Sequence, residues 1–175
     1  PSGLTKDELL TFQLKVNDGL VSATDTVSIT VRMNRGPVAE AGPNQTVLEN
    51  VIVNLDGSAS SDPDGSTLAF AWTQTTGLNV QLAGADTSKP SFTSPLGITK
   101  DEILVFQLTV SDGKLAASDT VTITVRKNTG PIAEAGPNQT VLENVLVKLD
   151  GTASSDPDGN PLTFSWLQTA GPTVQ

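Results

Sequence analysis

LVFQLTVSDGKLAASDTVTITV, residues 104–125, is the stretch that decides the fold. Leu104, Phe106, Leu108 and Val110 alternate with Val105, Gln107 and Thr109, and Val121, Ile123 and Val125 are separated by threonines. A period of two puts one set of side chains on one face of a strand, where a helix would need 3.6. Ser111-Asp112-Gly113 between the two runs is turn chemistry, so the stretch reads as a hairpin with one apolar face.

The same period recurs upstream. Val51, Val53 and Leu55 alternate with Ile52 and Asn54, and Leu68, Phe70 and Trp72 with Ala69, Ala71 and Thr73. Clusters of Gly, Pro, Asn and Asp divide the runs, as at Gly42–Asn44, Ser60–Gly65 and Gly84–Pro90. The predicted strands are 37–41 and 45–48 (a split first strand), 51–56, 67–74, 79–83, 90–93, 102–110 and 118–126. Roughly seven short strands and no helical period predict an antiparallel immunoglobulin-like β-sandwich, with Trp72 at the position of the buried Trp. The chain has no Cys, so the core must hold by packing alone.

Repetition sets the organisation. GPVAEAGPNQTVLENV from Gly36 returns as GPIAEAGPNQTVLENV from Gly130, a period of 94 residues. TKDELLTFQLKVNDG from Thr5 matches TKDEILVFQLTVSDG from Thr99 at the same offset. Residues 1–35 therefore read as the back part of one repeat, 36–129 as a complete repeat, and 130–175 as the front part of a third. The opening on Pro1, without a Met or a leader, reads as a mature or excised segment.

The series AGPNQTV, LDGSASSDPDG, LAFAWTQTTG, LVFQLTVSDG and DTVTITV resembles the PKD (polycystic kidney disease) domain, in the subtype found as tandem arrays in large surface and secreted proteins. The resemblance implies tandem immunoglobulin-like modules outside the cell, at the cell surface or secreted, with no catalysis of their own. Relatives of this kind serve as adhesins, as receptor ectodomains and as spacers beside secreted hydrolases.

Composition agrees with a non-enzymatic module. The chain carries 10 Lys+Arg against 19 Asp+Glu, a formal charge of −9, and no His or Cys. Such a balance argues against a nucleic-acid binder, which needs a basic face. Without His or Cys there is no His-based triad and no thiol nucleophile or thiolate metal site. No apolar run approaches the roughly 20 residues of a membrane span. Residues 36–129 hold five basic side chains against ten acidic, so the negative charge repeats with the unit.

Any metal would need oxygen ligands, and the acidic turn Asp62-Pro63-Asp64-Gly65, repeated as Asp156-Pro157-Asp158-Gly159, is the first candidate. In an immunoglobulin-like sandwich that loop shares a pole with the turn holding Asp112 (Asp18 in the first copy), and the linkers holding Asn34 and Asn128 feed the same pole. The family resemblance carries a calcium site over to Asn34, Asp62, Asp64 and Asp112, then to Asn128, Asp156 and Asp158, with Asp18 in the first copy. The alternative is a turn whose Asp side chains cap local amides. Asn44-Gln45-Thr46 and Asn138-Gln139-Thr140 are N-glycosylation sequons at equivalent positions. Lys100-Asp101-Glu102 and Glu49-Asn50 are expected at the opposite pole as solvated turn charge, the alternative being a contact that sets the angle between repeats.

The expected function is a structural and adhesive extracellular repeat protein, forming a filament, sheath or cell-surface array. Its partners would be neighbouring repeats, of the same chain or of identical chains, in head-to-tail linear assembly. The alternatives are a ligand-binding adhesin or receptor segment, taking a glycan or protein, and a spacer module of a secreted hydrolase. Residues 1–35 and 130–175 together supply 81 of the 94 residues of a unit and lack the equivalent of Leu82–Ser94. They are expected to be completed by a longer covalent array or, alternatively, by another copy through strand complementation.

Overall fold

The computed structural model describes residues 3–173; Pro1, Ser2, Val174 and Gln175, at the extremes of the two outer repeats, lie outside the described residues. Its strands are β1 (Glu8–Asn17), β2 (Ser22–Val31), β3 (Gln45–Leu48), β4 (Ile52–Asn54), β5 (Ala69–Thr76), β6 (Ser91–Thr93), β7 (Glu102–Ser111) and β8 (Ala116–Arg126). No helix occurs among the described residues.

The hairpin read from residues 104–125 is β7–β8, in antiparallel register from Glu102 opposite Val125 to Ser111 opposite Ala116. It is the centre of a four-stranded sheet of order β3-β8-β7-β5, with β3 parallel to β8 and β5 antiparallel to β7. A two-stranded sheet, β4–β6, forms the second layer. Alternation now becomes packing. Leu104, Phe106, Leu108, Val110, Val121, Ile123 and Val125 are all buried, and they meet Val53, Leu55 and Phe92 of the other layer. Phe92 and Phe106 bring their ring centroids to 4.9 Å across the layers. Trp72 is buried as expected, and its indole donates to the Thr87 carbonyl (3.1 Å), so the polar edge of the ring is satisfied. Gly57 lies against that ring. A methyl group there would stand 3.1 Å from Trp72 Cζ2 and 2.7 Å from Leu108 Cδ2, so only glycine fits without displacement.

Three expectations change. The predicted strand 37–41 shrinks to one bridge, Val38 with Ser61, because the chain there is held by side chains instead: the Ala41 amide donates to Asp119 Oδ2 (2.8 Å). The predicted strand 79–83 also reduces to a bridge, Ala83 with Ser91, because the Gln74 side chain intercepts the backbone, donating to the Leu78 carbonyl and accepting from the Val80 amide. In residues 130–173 no named strand forms, and only Ile132 bridges Ser155. In the middle repeat β3 is held by β8 and β5 by β7, and the equivalents of β7 and β8 for the third repeat are not among these 175 residues. A strand pattern without a ladder partner makes no strand.

Candidate functional site

The functional geometry lies where one repeat hands over to the next. Three consecutive linker amides each meet a different carboxylate. The Lys127 amide donates to Asp101 Oδ1 (2.9 Å), the Asn128 amide to Glu49 Oε1 (3.0 Å) and the Thr129 amide to Asp158 Oδ2 (2.6 Å). Two of the acceptors belong to the repeat the chain is leaving and one to the repeat it enters. Asn160 Nδ2 donates to Asn128 Oδ1 (2.8 Å), and Arg126 pairs with Asp158 Oδ1 (3.2 Å). The Asp158 side chain is only 2% exposed, so both of its oxygens are desolvated and both are answered.

The same device appears one repeat earlier. The Met33 amide donates to Asp7 Oδ1 (2.9 Å), across the 26 residues that also separate Asp101 from Lys127. The Arg35 amide donates to Asp64 Oδ2 (2.6 Å), across the 29 residues that also separate Thr129 from Asp158. Here the Asn34 side chain reaches Asp112 Oδ2 (2.7 Å). Asp64 and Asp112 thus meet the linker at one pole of the middle sandwich, while Asp101 and Glu49 meet the next linker at the other.

Each acidic turn is also capped from within. Asp62 Oδ1 accepts from the amides of Asp64 (2.9 Å) and Ser66 (3.0 Å), and Asp156 Oδ1 from those of Asp158 and Asn160. Asp112 Oδ1 accepts from Lys114 (2.7 Å) and Leu115 (2.6 Å), and Asp18 Oδ1 from Leu20 and Val21. The Leu115 amide, with the Asn34 amide group, holds the Asp112 carboxyl below the usual carboxylate range, and the Val21 amide does the same for Asp18. Glu49 is held low chiefly by the Asn128 amide, and also by Gly97 (2.5 Å) and Ile98.

These contacts decide how the residues fit calcium. The ion takes six to eight oxygens in one shell. Most oxygens of the candidate set already accept amides, and among the described residues no three of His, Cys, Asp or Glu gather as a metal-binding group. Asp62 Oδ2 is buried and has no hydrogen-bond partner among the described residues. As arranged, the hydrogen bonds of the set are those of linker and turn capping.

The two sequons differ in their surroundings. Asn44 Oδ1 accepts the Thr122 amide (2.8 Å) beside the start of β3, which leaves Nδ2 at an exposed position, and Asn138 is exposed. Sequence reasoning missed Ser94, which is buried and staples the turn before β4: its hydroxyl donates to the Leu48 carbonyl (2.8 Å) and accepts the Val51 amide (2.9 Å). It also favoured solvated turn charge for Glu49 and Asp101, which instead grip the linker. The signal available was the repeat itself, since Asp7 and Asp101 stand at the same distance from their linkers.

Comparison with known proteins follows the same stretch. The family model described as "K319L-like, PKD domain" matches residues 41–125. The mouse dyslexia-associated protein KIAA0319-like protein is 34% identical over 174 residues, covering 93% of this chain and 16% of the relative. Chitinase A of Pseudoalteromonas piscicida is 31% identical over 116 residues, covering 63% of this chain and 13% of the relative. This chain therefore spans about a sixth or less of the curated relatives it matches. A solution structure of the PKD domain from the KIAA 1837 protein aligns at 30% identity with a TM-score of 0.43, covering 58% of this chain and 92% of that one. The chain belongs to the PKD-domain family over the stretch that the family model matches, residues 41–125.

Proposed function

We propose that this chain is a structural and adhesive extracellular module, in which PKD-type sandwiches are joined end to end into a filament, sheath or cell-surface array. The observation that carries this reading is the joint. Three successive linker amides are fixed by Asp101, Glu49 and Asp158, and two of these contacts recur one repeat earlier at identical spacing. A short linker with its amides individually held is semi-rigid, unlike a Gly/Ser tether. The same joint repeated every 94 residues gives every neighbour the same angle, and that makes a regular line. The acidic turns act as the caps of that joint. Extracellular placement follows the family resemblance and is compatible with sequons at Asn44 and Asn138, whose occupancy intact mass of native material would test.

Small-angle scattering on the 175-residue chain tests the reading. A profile that fits one fixed inter-repeat angle supports it, and one that needs a broad distribution of angles overturns it. A second reading, a spacer in a secreted hydrolase, is favoured by the similarity to Chitinase A. The gene discriminates: many copies in succession mean an array, a few beside a catalytic domain mean a spacer.

A further inference from the structure

The outward face of the four-stranded sheet in the middle repeat carries almost no charge. Thr120, Thr122 and Thr124 of β8 stand beside Gln107, Val105 and Ile103 of β7. Thr46 of β3 extends this face at one edge, and Ala71 and Thr73 of β5 extend it at the other. Of the side chains that these four strands turn outward, only Arg126 is ionic, and it stands at the end of β8, where Asp158 answers it. None of the ten carboxylates of residues 36–129 lies on the face, although the chain carries a formal charge of −9. The same positions of β1–β2 keep Gln13, Thr26, Ser28 and Thr30, but Lys15 takes the place of Thr109, so the uncharged version belongs to the middle repeat.

The chemistry of this face makes it complementary to itself. A carboxylate or ammonium surface repels its own copy, whereas each hydroxyl and the Gln107 amide can both donate and accept. Thr109 and Ser118 already pair in this way within the sheet (3.1 Å), and the Thr75 hydroxyl donates to the Val105 carbonyl, whereas those of Thr120, Thr122 and Thr124 have no partner among the described residues. Ile103, 55% exposed, adds apolar area beside the threonine methyls. Electrostatics points the same way. Two copies of charge −9 repel wherever their acidic turns approach, and on this face they approach without that penalty. β7 is ten residues long, roughly 33 Å, and four strands span about 15 Å, so the face offers about 500 Å². Two such faces bury about 1,000 Å², the low end for a specific interface.

We propose that this face pairs with the same face of a second copy of the chain, sheet on sheet, about a twofold axis. The contact is isologous, so it closes at two copies and does not propagate. The axis passes over the centre of the face, where Gln107 and Thr120 stand opposite each other, so this pair lies against its own counterpart in the second copy. The modest area makes the association weak and reversible. The inference goes beyond the end-to-end reading: the joint orders repeats along one chain, and this contact sets two chains side by side.

Sedimentation of the full 175-residue chain over a concentration series tests the pairing. The average mass should rise towards twice that of one chain, and the rise should strengthen with added salt, which screens the −9 charges without weakening an uncharged contact. Thr120→Glu sets a carboxylate against its own copy and should weaken association at least about tenfold. Asn54→Glu adds the same charge on the exposed side of β4, in the other layer, and should leave association unchanged. Because the chain has no cysteine, Thr120→Cys gives a second readout that does not depend on the Glu variant folding. Mild oxidation should link Thr120→Cys into a dimer far faster than Asn54→Cys. A monomer at all concentrations, association that weakens with salt, equal effects of the two Glu variants, or equal cross-linking of the two Cys variants would overturn the proposal. Small-angle scattering of the dilute chain reads the joint separately, so an ordered joint in a chain that never pairs defeats this inference and leaves the array reading standing.

Discussion

Ile123 and Ile29 occupy the same place in two copies of one repeat, and the fold gives them opposite surroundings. Ile123 is fully buried on β8, while Ile29, on β2, is 48% exposed. Removing one methyl group from each therefore separates environment from chemistry. At Ile123 the loss is a methylene-sized transfer of about 0.8 kcal/mol plus a residual cavity, and Ile→Val in cores costs about 0.5–1.5 kcal/mol. One kcal/mol moves the melting temperature of a domain of 60–100 residues by about 4–8 °C. Ile123→Val should lower the transition by about that amount. Ile29→Val should change it by less than about 0.5 kcal/mol, because an unpartnered hairpin contributes little to the cooperative transition. Thermal unfolding followed by circular dichroism, in dilute protein so that copies stay apart, is sufficient. Equal shifts for the two variants, or none for Ile123→Val, would refute the packing argument.

Other outcomes follow from the joint and the turns. A methyl group on Gly77 would lie 2.4 Å from the Ile103 carbonyl oxygen, whereas on Gly171 the nearest atom is Gln168 Nε2 at 3.5 Å; both glycines have positive φ. Gly77→Ala should therefore lower the melting temperature well beyond Gly171→Ala, and equal effects would contradict the β5–β7 contact. Glu49 and Asp112 titrate below the ordinary carboxylate range, so their caps are in place at neutral pH and are lost as pH falls below about 4. Scattering should show the inter-repeat angle broadening only on acidification, and broadening towards high pH would contradict it. Asp56, lowered to about 2 first by the Ser58 hydroxyl and then by Lys89, should keep its contacts to more acidic pH, which its carboxyl NMR titration would show. Chelator and added calcium should both leave the melting temperature unchanged, whereas a rise with calcium would show a metal site in place of the caps.

What could be read from sequence depended on the range of the interaction. The β7–β8 hairpin and the buried Trp72 were legible because alternation and turn chemistry are local, and the 94-residue period placed the outer copies. The strand at 79–83 was not, because a single side chain, Gln74, takes the hydrogen bonds that a ladder would have used. The third-repeat strands were misread for a different reason: their pattern is intact, and what they lack is the partner hairpin. The acidic turns were correctly located at the entry pole, yet their chemistry hung on what the carboxylates face, and they face amides. Glu49 reads as solvated turn charge from sequence because its partner, Asn128, lies 79 residues away, and no local pattern couples the two.

The central claim is that consecutive sandwiches share one fixed joint, and electron microscopy of native material tests it most directly. The account predicts straight or uniformly curved fibres whose axial repeat is close to one sandwich, roughly 35–40 Å from the length of β8 and its turns. Particles strung at random angles, with no axial repeat, would contradict it.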